Sequence, residues 1–536
     1  MKQLFTLLFV VLVSQFTFGQ TCGHTDYTWT SQTEIDNFVT TYGGGGCSQI
    51  DGDLYITGAS INDLSGLTFI TEITGYLYIR STNLTDLTGL ENLTTLGTFL
   101  YLQSNNSLLN IDGLQNLTSF NSNIQLRYNN NLTSIVGLSG ITQATAISLE
   151  YNPNIATLNG LHNIASPDVQ ISITGSDALV DLTGLDAITS ASSISIYTND
   201  NLASLDGLDN LTTTANLYID RNFALANVDA LSNLTQVDGS FYFHDAPTLT
   251  DISFITCTVE GINFSNLGIT DLGGISASNN ELDFLYINFV PSLTDISALN
   301  GLETVNGDLE IWSTLLASLA GFEDLTSISG DATISNNSVL TDVSQFDNVL
   351  YLGEDLVVGS NSSLSECCVF QNFISGNGFI GGSINIVGND TNCISIPEVI
   401  TYCNTTYADS DGDGVPDSTD NCASESNPNQ EDTDGDGIGN PCDNCPDTAN
   451  ASQTDTDGDG IGDDCETAAG TTGSGVGGVG INTTTPNTLL EVADGDIFIN
   501  NIHRGVIMKS ASGNCFRYQP DDSGKLVSKQ ITCPDN

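Results

Sequence analysis

The sequence predicts an all-β chain: a long solenoid, then an irregular acidic array, then a small β module. Three observations carry that reading. An apolar anchor, usually within G-L-x-x-L, returns roughly every 23 or 24 residues from Leu67 to Phe346. A short apolar-x-apolar pair returns with the same period, from Leu54/Ile56 to Ile384/Ile386. Residues 409–466 repeat D-x-D-x-D-G, with cysteines between the repeats and no Lys or Arg.

A fixed period with alternating strands means coils that bury their marked residues inward and stack on their neighbours. The anchors are Leu67, Leu90, Leu114, Leu138, Leu161, Leu185, Leu208 and Leu231, then Phe254, Ile275, Leu299, Phe322 and Phe346, with one short step before Ile275. The strand pairs number about fifteen coils; at ~4.8 Å per strand the stack is roughly 70 Å long. Asn follows the strand marker at 105, 129, 152, 199, 222, 337, 361 and 389. Stacked Asn side chains can satisfy the turning backbone of successive coils, so these read as a structural ladder. Thr, Ser, Gly and Asn fill the rest of each unit, so the helix-forming half of a leucine-rich repeat is missing. The elements Asn131-Leu132-Thr133-Ser134-Ile135 and Gly52-Asp53-Leu54-Tyr55-Ile56 resemble the receptor L-domain. That resemblance implies a right-handed β-solenoid.

Solenoid ends need caps. Residues 32–41 read as a capping helix clipped by Cys22 and Cys47. At the far end, 367–374 and 396–403 read as short helices held by Cys367, Cys368, Cys393 and Cys403, with connectivity open. The outward face carries a column of Tyr55, Tyr78 and Tyr101, flanked by Tyr76, Phe99, Arg80, Gln103 and Arg127. A second cluster holds Tyr197, Tyr218, Tyr242 and His244, and a third Phe284, Tyr286 and Trp312. Such columns can grip a sugar or a protein partner. They can equally brace the sheet, at ~0.2–1 kcal/mol per pair. Tyr55, Tyr78, Tyr101, Arg80 and Arg127 are the candidate ligand-binding residues; Arg127 beside Glu150 also reads as a cross-strand ion pair.

In the acidic array, carboxylates at every second position repel each other unless a cation intervenes. A hard divalent ion wants six to eight oxygens, which a D-x-D-x-D-G loop supplies from a turn sharpened by Gly. Counted as twelve-residue loops, the first offers Asp409, Asp411, Asp413, the Val415 carbonyl, Asp417 and Asp420. The second offers Asp432, Asp434, Asp436, the Ile438 carbonyl, Asn440 and Asp443. The third offers Asp455, Asp457, Asp459, the Ile461 carbonyl, Asp463 and Glu466. Flanks of Pro, Asn, Gly and Cys argue against helix–loop–helix, and against a dockerin-like pair, which needs helices. Cys422 and Cys442 are 20 apart, as are Cys445 and Cys465. Two such disulfides would replace the missing apolar core. With Asp420-Asn421-Cys422, Asn427-Pro428-Asn429-Gln430 and Asp443-Asn444-Cys445-Pro446, the segment resembles thrombospondin type 3 repeats. The resemblance implies structural Ca2+ wrapped by irregular chain.

A formal charge of −56 disfavours nucleic acid and anionic lipid as partners. Between Lys2 and Arg504 the basic residues are Arg80, Arg127 and Arg221. Residues 1–19 read as a secretory signal peptide, and no other run is long enough to span a bilayer. Thirteen cysteines in an exported chain imply disulfides: besides those above, Cys515 with Cys533, leaving Cys257 as a buried thiol. Four His without ligand spacing, and no Lys from residue 3 to 508, argue against an enzyme. An acidic pair such as Asp308 and Asp331 is the one acid–base candidate. The expected domains are 1–19 signal peptide, 20–404 solenoid, 405–466 calcium repeats, 467–479 Gly-rich linker and 480–536 C-terminal β module. That module, with strands near 489–492, 497–500 and 505–509, resembles segments of bacterial secreted proteins and can serve oligomerisation or surface attachment. The expected protein is secreted or cell-surface, binds calcium, and mediates adhesion or recognition of an extracellular protein or glycan. The alternatives are a calcium-stiffened spacer and, less favoured, a polysaccharide-degrading enzyme.

Overall fold

A computed structural model describes residues 20–23, 26–406, 408–465, 479–481, 490–492, 506–509, 512, 514–521 and 525–532. The signal segment, most of the Gly-rich linker, Glu466 and Cys533 lie outside the described residues. The chain divides into two compact units. One runs to Ser410 and includes Pro416–Ser418; the other holds Asp411–Val415 and everything from Thr419.

The first unit is a β-solenoid. Its main sheet is parallel throughout, and one register passes through every coil. Leu54 pairs Leu77, then Leu100, Ile124, Ile147, Ile171, Ile194 and Leu217. The row continues through Phe241, Ile262, Leu285, Leu309, Ala332, Leu356 and Ile384. These fifteen strands, all marked in sequence by the apolar-x-apolar pair, bound fourteen complete turns. Period-2 alternation places both members of each pair inward; Leu77 and Ile79, for example, are fully buried. On another side of the coil, two-residue strands pair in short parallel ladders such as Gln49–Ile50 with Glu72–Ile73. Where a leucine-rich repeat would carry a helix, several coils make one 3₁₀ turn around the anchor, as at Asp112–Leu114 and Val136–Leu138.

Each main strand ends at a residue with positive φ, among them Ser81, Ser104, Tyr128, Tyr151 and Thr198. The chain turns inward there, and the next residue begins the buried ladder. Asn129 Nδ2 donates to the Leu102 carbonyl (3.0 Å), and Asn129 Oδ1 accepts from the Asn105 backbone N–H (3.1 Å). Asn152 repeats both bonds, to Leu126 and from Asn129. Buried backbone groups at a sharp bend thus find partners in the adjacent coil. Thr82 and Thr314 hold two of the ladder positions and bond to the next Asn. In three consecutive coils the ladder is apolar: Ala246, Leu267 and Val290, all buried. There the strands lengthen to Gln236–Ala246 and Thr258–Leu267, and Phe241, Phe243 and Phe264 fill the core.

A second, exposed Asn ladder was not read from the sequence. Asn92, Asn116, Asn210 and Asn233 each donate to a carbonyl one coil earlier, at 2.7–2.8 Å. The recurring N-L-T written into the repeats is this ladder: Thr94, Thr212 and Thr235 hydroxyls also donate one coil back.

The caps form as helices α1 (Gln32–Tyr42), α2 (Gln371–Ser375) and α3 (Ile396–Thr406). Helix α1 starts at a capping box between Ser31 and Glu34 and buries Ile35 and Phe38. The strand Tyr27–Trp29 pairs with Leu54–Ile56 and covers the first open edge. Cys22 is bonded to Cys47, and the open connectivity resolves as Cys367–Cys393 and Cys368–Cys403. Cys257 is a buried free thiol.

In the second unit the array from Thr419 to Cys465 has no helix or strand. Cys422 is bonded to Cys442 and Cys445 to Cys465. Further on, Val479–Ile481 pairs in parallel with Leu490–Val492. Val506–Lys509, Cys515–Pro520 and Leu526–Ile531 form an antiparallel meander whose last two strands sequence reasoning missed. Cys515 is in a disulfide; its expected partner Cys533, and the strand expected at 497–500, lie outside the described residues. Among the described residues no helix is long and apolar enough to cross a membrane.

Candidate metal centres and the outward face

The second acidic loop is the clearest. Gly435 and Gly437 take positive φ (79° and 95°), which lets the chain curl around the Asp side chains without a Cβ in the way. Asp432 accepts from the Gly435 N–H (2.7 Å) and the Gly437 N–H (2.9 Å). Those amides hold its carboxyl below the usual carboxylate range. Asp436 accepts from Ile438 N–H at 2.9 Å and, through its other oxygen, from Asn450 N–H at 2.6 Å. Asp443 accepts from Cys445 N–H (2.8 Å) and Gln453 Nε2 (2.7 Å) through one oxygen. Asp432, Asp434 and Asp436 each bring an oxygen within 4.8 Å of the others. Desolvation, and then the neighbouring carboxylates, push Asp434 up.

Two oxygens in this loop are left over. Asp434 Oδ2 and Asp443 Oδ2 are buried and have no hydrogen-bond donor; Asp443 as a residue is only 8% exposed. A buried carboxylate oxygen without a donor is costly unless a cation meets it. The donor set is oxygen only, so the cation is hard, and a cluster of several carboxylates suits the six to eight oxygens of Ca2+ better than the strict, water-retaining octahedron of Mg2+. The residues present therefore fit the ion that the loop pattern implies.

The third loop repeats this design. Asp455 accepts from Gly458 (2.7 Å) and Gly460 (2.9 Å), which lowers its pKa, and Asp459 accepts from Ile461 N–H. Asp455, Asp457 and Asp459 again converge within 4.8 Å. Glu466, its expected last ligand, lies outside the described residues. Within the second unit, Asp413 accepts from Val415 N–H and Asn427 N–H, and Asp411 from Asp413 N–H. Asp420 accepts from Cys422 N–H and Gln430 Nε2, and its Oδ2 is buried without a donor. Asp409 belongs to the first unit.

The side chains expected at the ninth loop position also brace the loop on its own second residue. Asp417 accepts from Ser410 N–H and Oγ, Asn440 from Thr433 N–H, and Asp463 from Thr456 N–H and Oγ1. The signal was available as Ser or Thr after each first Asp. The intervening N-P-x-Q and its counterpart also have a role that spacing alone did not show. Asn450 bonds Asn444, and Gln453 bonds both Asn450 and Asp443, so the linker segment holds the final Asp in place.

Elsewhere, Glu366, Cys368 and Cys403 converge, but their sulfurs are joined to each other. Asp308 and Asp331 act as a ladder at strand entry: Asp308 accepts from Asp331 N–H (2.9 Å) and Asp331 from Asp355 N–H (2.8 Å).

On the outward face, Tyr55, Tyr78 and Tyr101 share one register. Tyr78 and Tyr101 stack at 4.7 Å and 11°, while Tyr55 tilts against Tyr78 at 5.7 Å. All three are half-buried, and Arg80 is exposed beside Tyr78 Oη. Arg127 pairs with Glu150 (2.9 Å) and lies over the Tyr128 ring. Tyr242 stacks on His244 at 3.7 Å, and burial lowers the His244 pKa.

Comparison with known families agrees with both parts. Residues 46–123 match the Receptor L domain, and residues 402–430 and 429–453 match the Thrombospondin type 3 repeat. The first match covers the opening coils of the solenoid, the second the first two acidic loops. Thrombospondin type 3 repeats are of a calcium-binding type, and the chain is similar to them where its carboxylates converge. A search of curated proteins returns no match.

Proposed function

We propose that the chain is an exported, non-enzymatic recognition protein. Its solenoid binds an extracellular protein or glycan and so mediates adhesion, and its acidic array is ordered by calcium. The observation that carries the calcium half is the pair of donorless buried oxygens on Asp434 and Asp443. The carboxylates of Asp432, Asp434, Asp436 and Asp443 would hold the ion, and when bound it supplies the positive charge that the segment's own side chains lack. The recognition half is supported by the match of residues 46–123 to the Receptor L domain and by the outward Tyr, Arg and Gln side chains. Five disulfides between described residues, together with the extracellular type of both matched families, support export.

Titration calorimetry of the full chain tests the first half. Several equivalents of Ca2+ should bind, and Asp434→Asn with Asp443→Asn should remove at least one. A chain that takes up no Ca2+ contradicts it. Capture from an extracellular matrix extract or glycan panel tests the second half; a solenoid that retains nothing would favour a structural spacer.

A further inference from the structure

The outward column of the main sheet is aromatic at both ends of its first half and polar without rings in between. It reads Tyr55, Tyr78, Tyr101, then Gln125, Ser148, Ser172 and Ser195, then Tyr218 and Tyr242, all in one register. Five strand steps separate Tyr101 from Tyr218, roughly 24 Å at ~4.8 Å per strand. The absent rings leave a depression of about 280 Å³ whose lining includes Phe99, Asn123, Gln125, Ser148, Gln170 and Glu150. That is just below the ~300–1,000 Å³ of drug-sized sites.

We propose that this depression is a binding site for a neutral oligosaccharide. The proposal rests on the recognition reading above and names the ligand class and the place. Phe99 supplies an aromatic wall: it meets Tyr76 edge-on (74°) and Tyr101 at a tilt (43°), so neither ring stacks parallel on it. The Tyr78 and Tyr101 rings, by contrast, are stacked on each other. Amides of Asn123, Gln125 and Gln170 and the Ser172 hydroxyl both donate and accept, as vicinal sugar hydroxyls require, while the Ser148 hydroxyl, which donates to Glu150, is left as an acceptor. The charge in the depression is already balanced. Glu150 takes Arg127 at 2.9 Å through one oxygen and Ser148 Oγ at 2.9 Å through the other. A cationic ligand therefore finds no open carboxylate there, and the formal charge of −56 works against sulfated or uronic acid glycans.

Filling the depression tests this. Ser148→Tyr and Ser172→Tyr extend a column that already carries Tyr in the same register, so both should fold. Thr333→Tyr, in the same column several coils away, is the control. The full chain is applied with calcium to a printed panel of neutral, sulfated and uronic acid oligosaccharides, and hits are titrated. The expected result is binding to neutral members only, weakened at least tenfold by either Ser variant and unchanged in the control, with unaltered melting temperatures. Neutral binding that survives both Ser variants overturns the site and leaves solenoid recognition standing. So does preference for charged glycans, or capture of a protein with no glycan bound. A solenoid that binds neither glycan nor protein overturns both readings. If a Ser variant melts early, Gln125→Ala and Gln170→Ala, which leave the fold's buried face untouched, decide in its place: unchanged affinity in both sinks the proposal.

Discussion

Two Asn of one coil do different jobs, depending on where each sits. Asn129 is fully buried and serves the backbone of two neighbouring coils, whereas Asn131, two residues on, is exposed and donates once, to Asn106 O at 2.7 Å. Removing a buried partner leaves backbone groups unsatisfied, so Asn129→Ala should cost about 2–4 kcal/mol and Asn131→Ala about 1 kcal/mol or less. Urea denaturation of the two variants checks this; equal costs would mean that the buried ladder is dispensable. Asp86 gives a pH-dependent counterpart. The Thr88 hydroxyl and amide hold its carboxyl below the usual range. A folded pKa below the unfolded one means the contribution is present above the unfolded value, about 3.9, and lost as pH falls through the folded one. The stability difference between the protein and Asp86→Ala should therefore be full near pH 6 and shrink below about pH 4. The Cys257 thiol, pushed up to about 12 by burial, should resist alkylation in the folded protein and react once it is unfolded.

At the scale of the element, much was legible because the repeat writes the same physics many times. Each apolar-x-apolar pair is two inward positions of a strand, and each buried Asn marks the bend after it. The second Asn ladder was hidden in plain view, since N-L-T reads as turn composition until the backbone of the previous coil is placed beside it. The apolar interruption at Ala246, Leu267 and Val290 was legible only as the shortened period before Ile275, because a missing Asn says nothing about what replaces it. What stands there is Ala246, Leu267 and Val290, beside an aromatic stretch of core in which Phe264 is buried and contacts both Phe241 and Phe243. Phe264→Ala should cost about 3–5 kcal/mol, measured by the same denaturation. A cost under ~1 kcal/mol would show that the neighbouring coils collapse into the gap. In the acidic loops the triplets were legible from spacing, but the bonds that the ninth-position side chains make were not. Those bonds depend on a Ser or Thr seven residues earlier, outside the spacing rule.

For the molecule as a whole, two kinds of stability stand in sequence. The solenoid has a continuous apolar core from Cys22 to Cys403 and needs no ion to bury it. The array from Asp409 onward has few apolar residues, a dense set of carboxylates and the two disulfides Cys422–Cys442 and Cys445–Cys465. Ion binding there should be coupled to folding. Hydrogen exchange on the intact protein, with calcium and with a chelator, separates the two most directly. The account predicts that chelation abolishes amide protection across residues 409–465 while residues 50–390 stay protected. Equal protection of the array with and without calcium would contradict it, and would mean that the disulfides alone hold those loops in place.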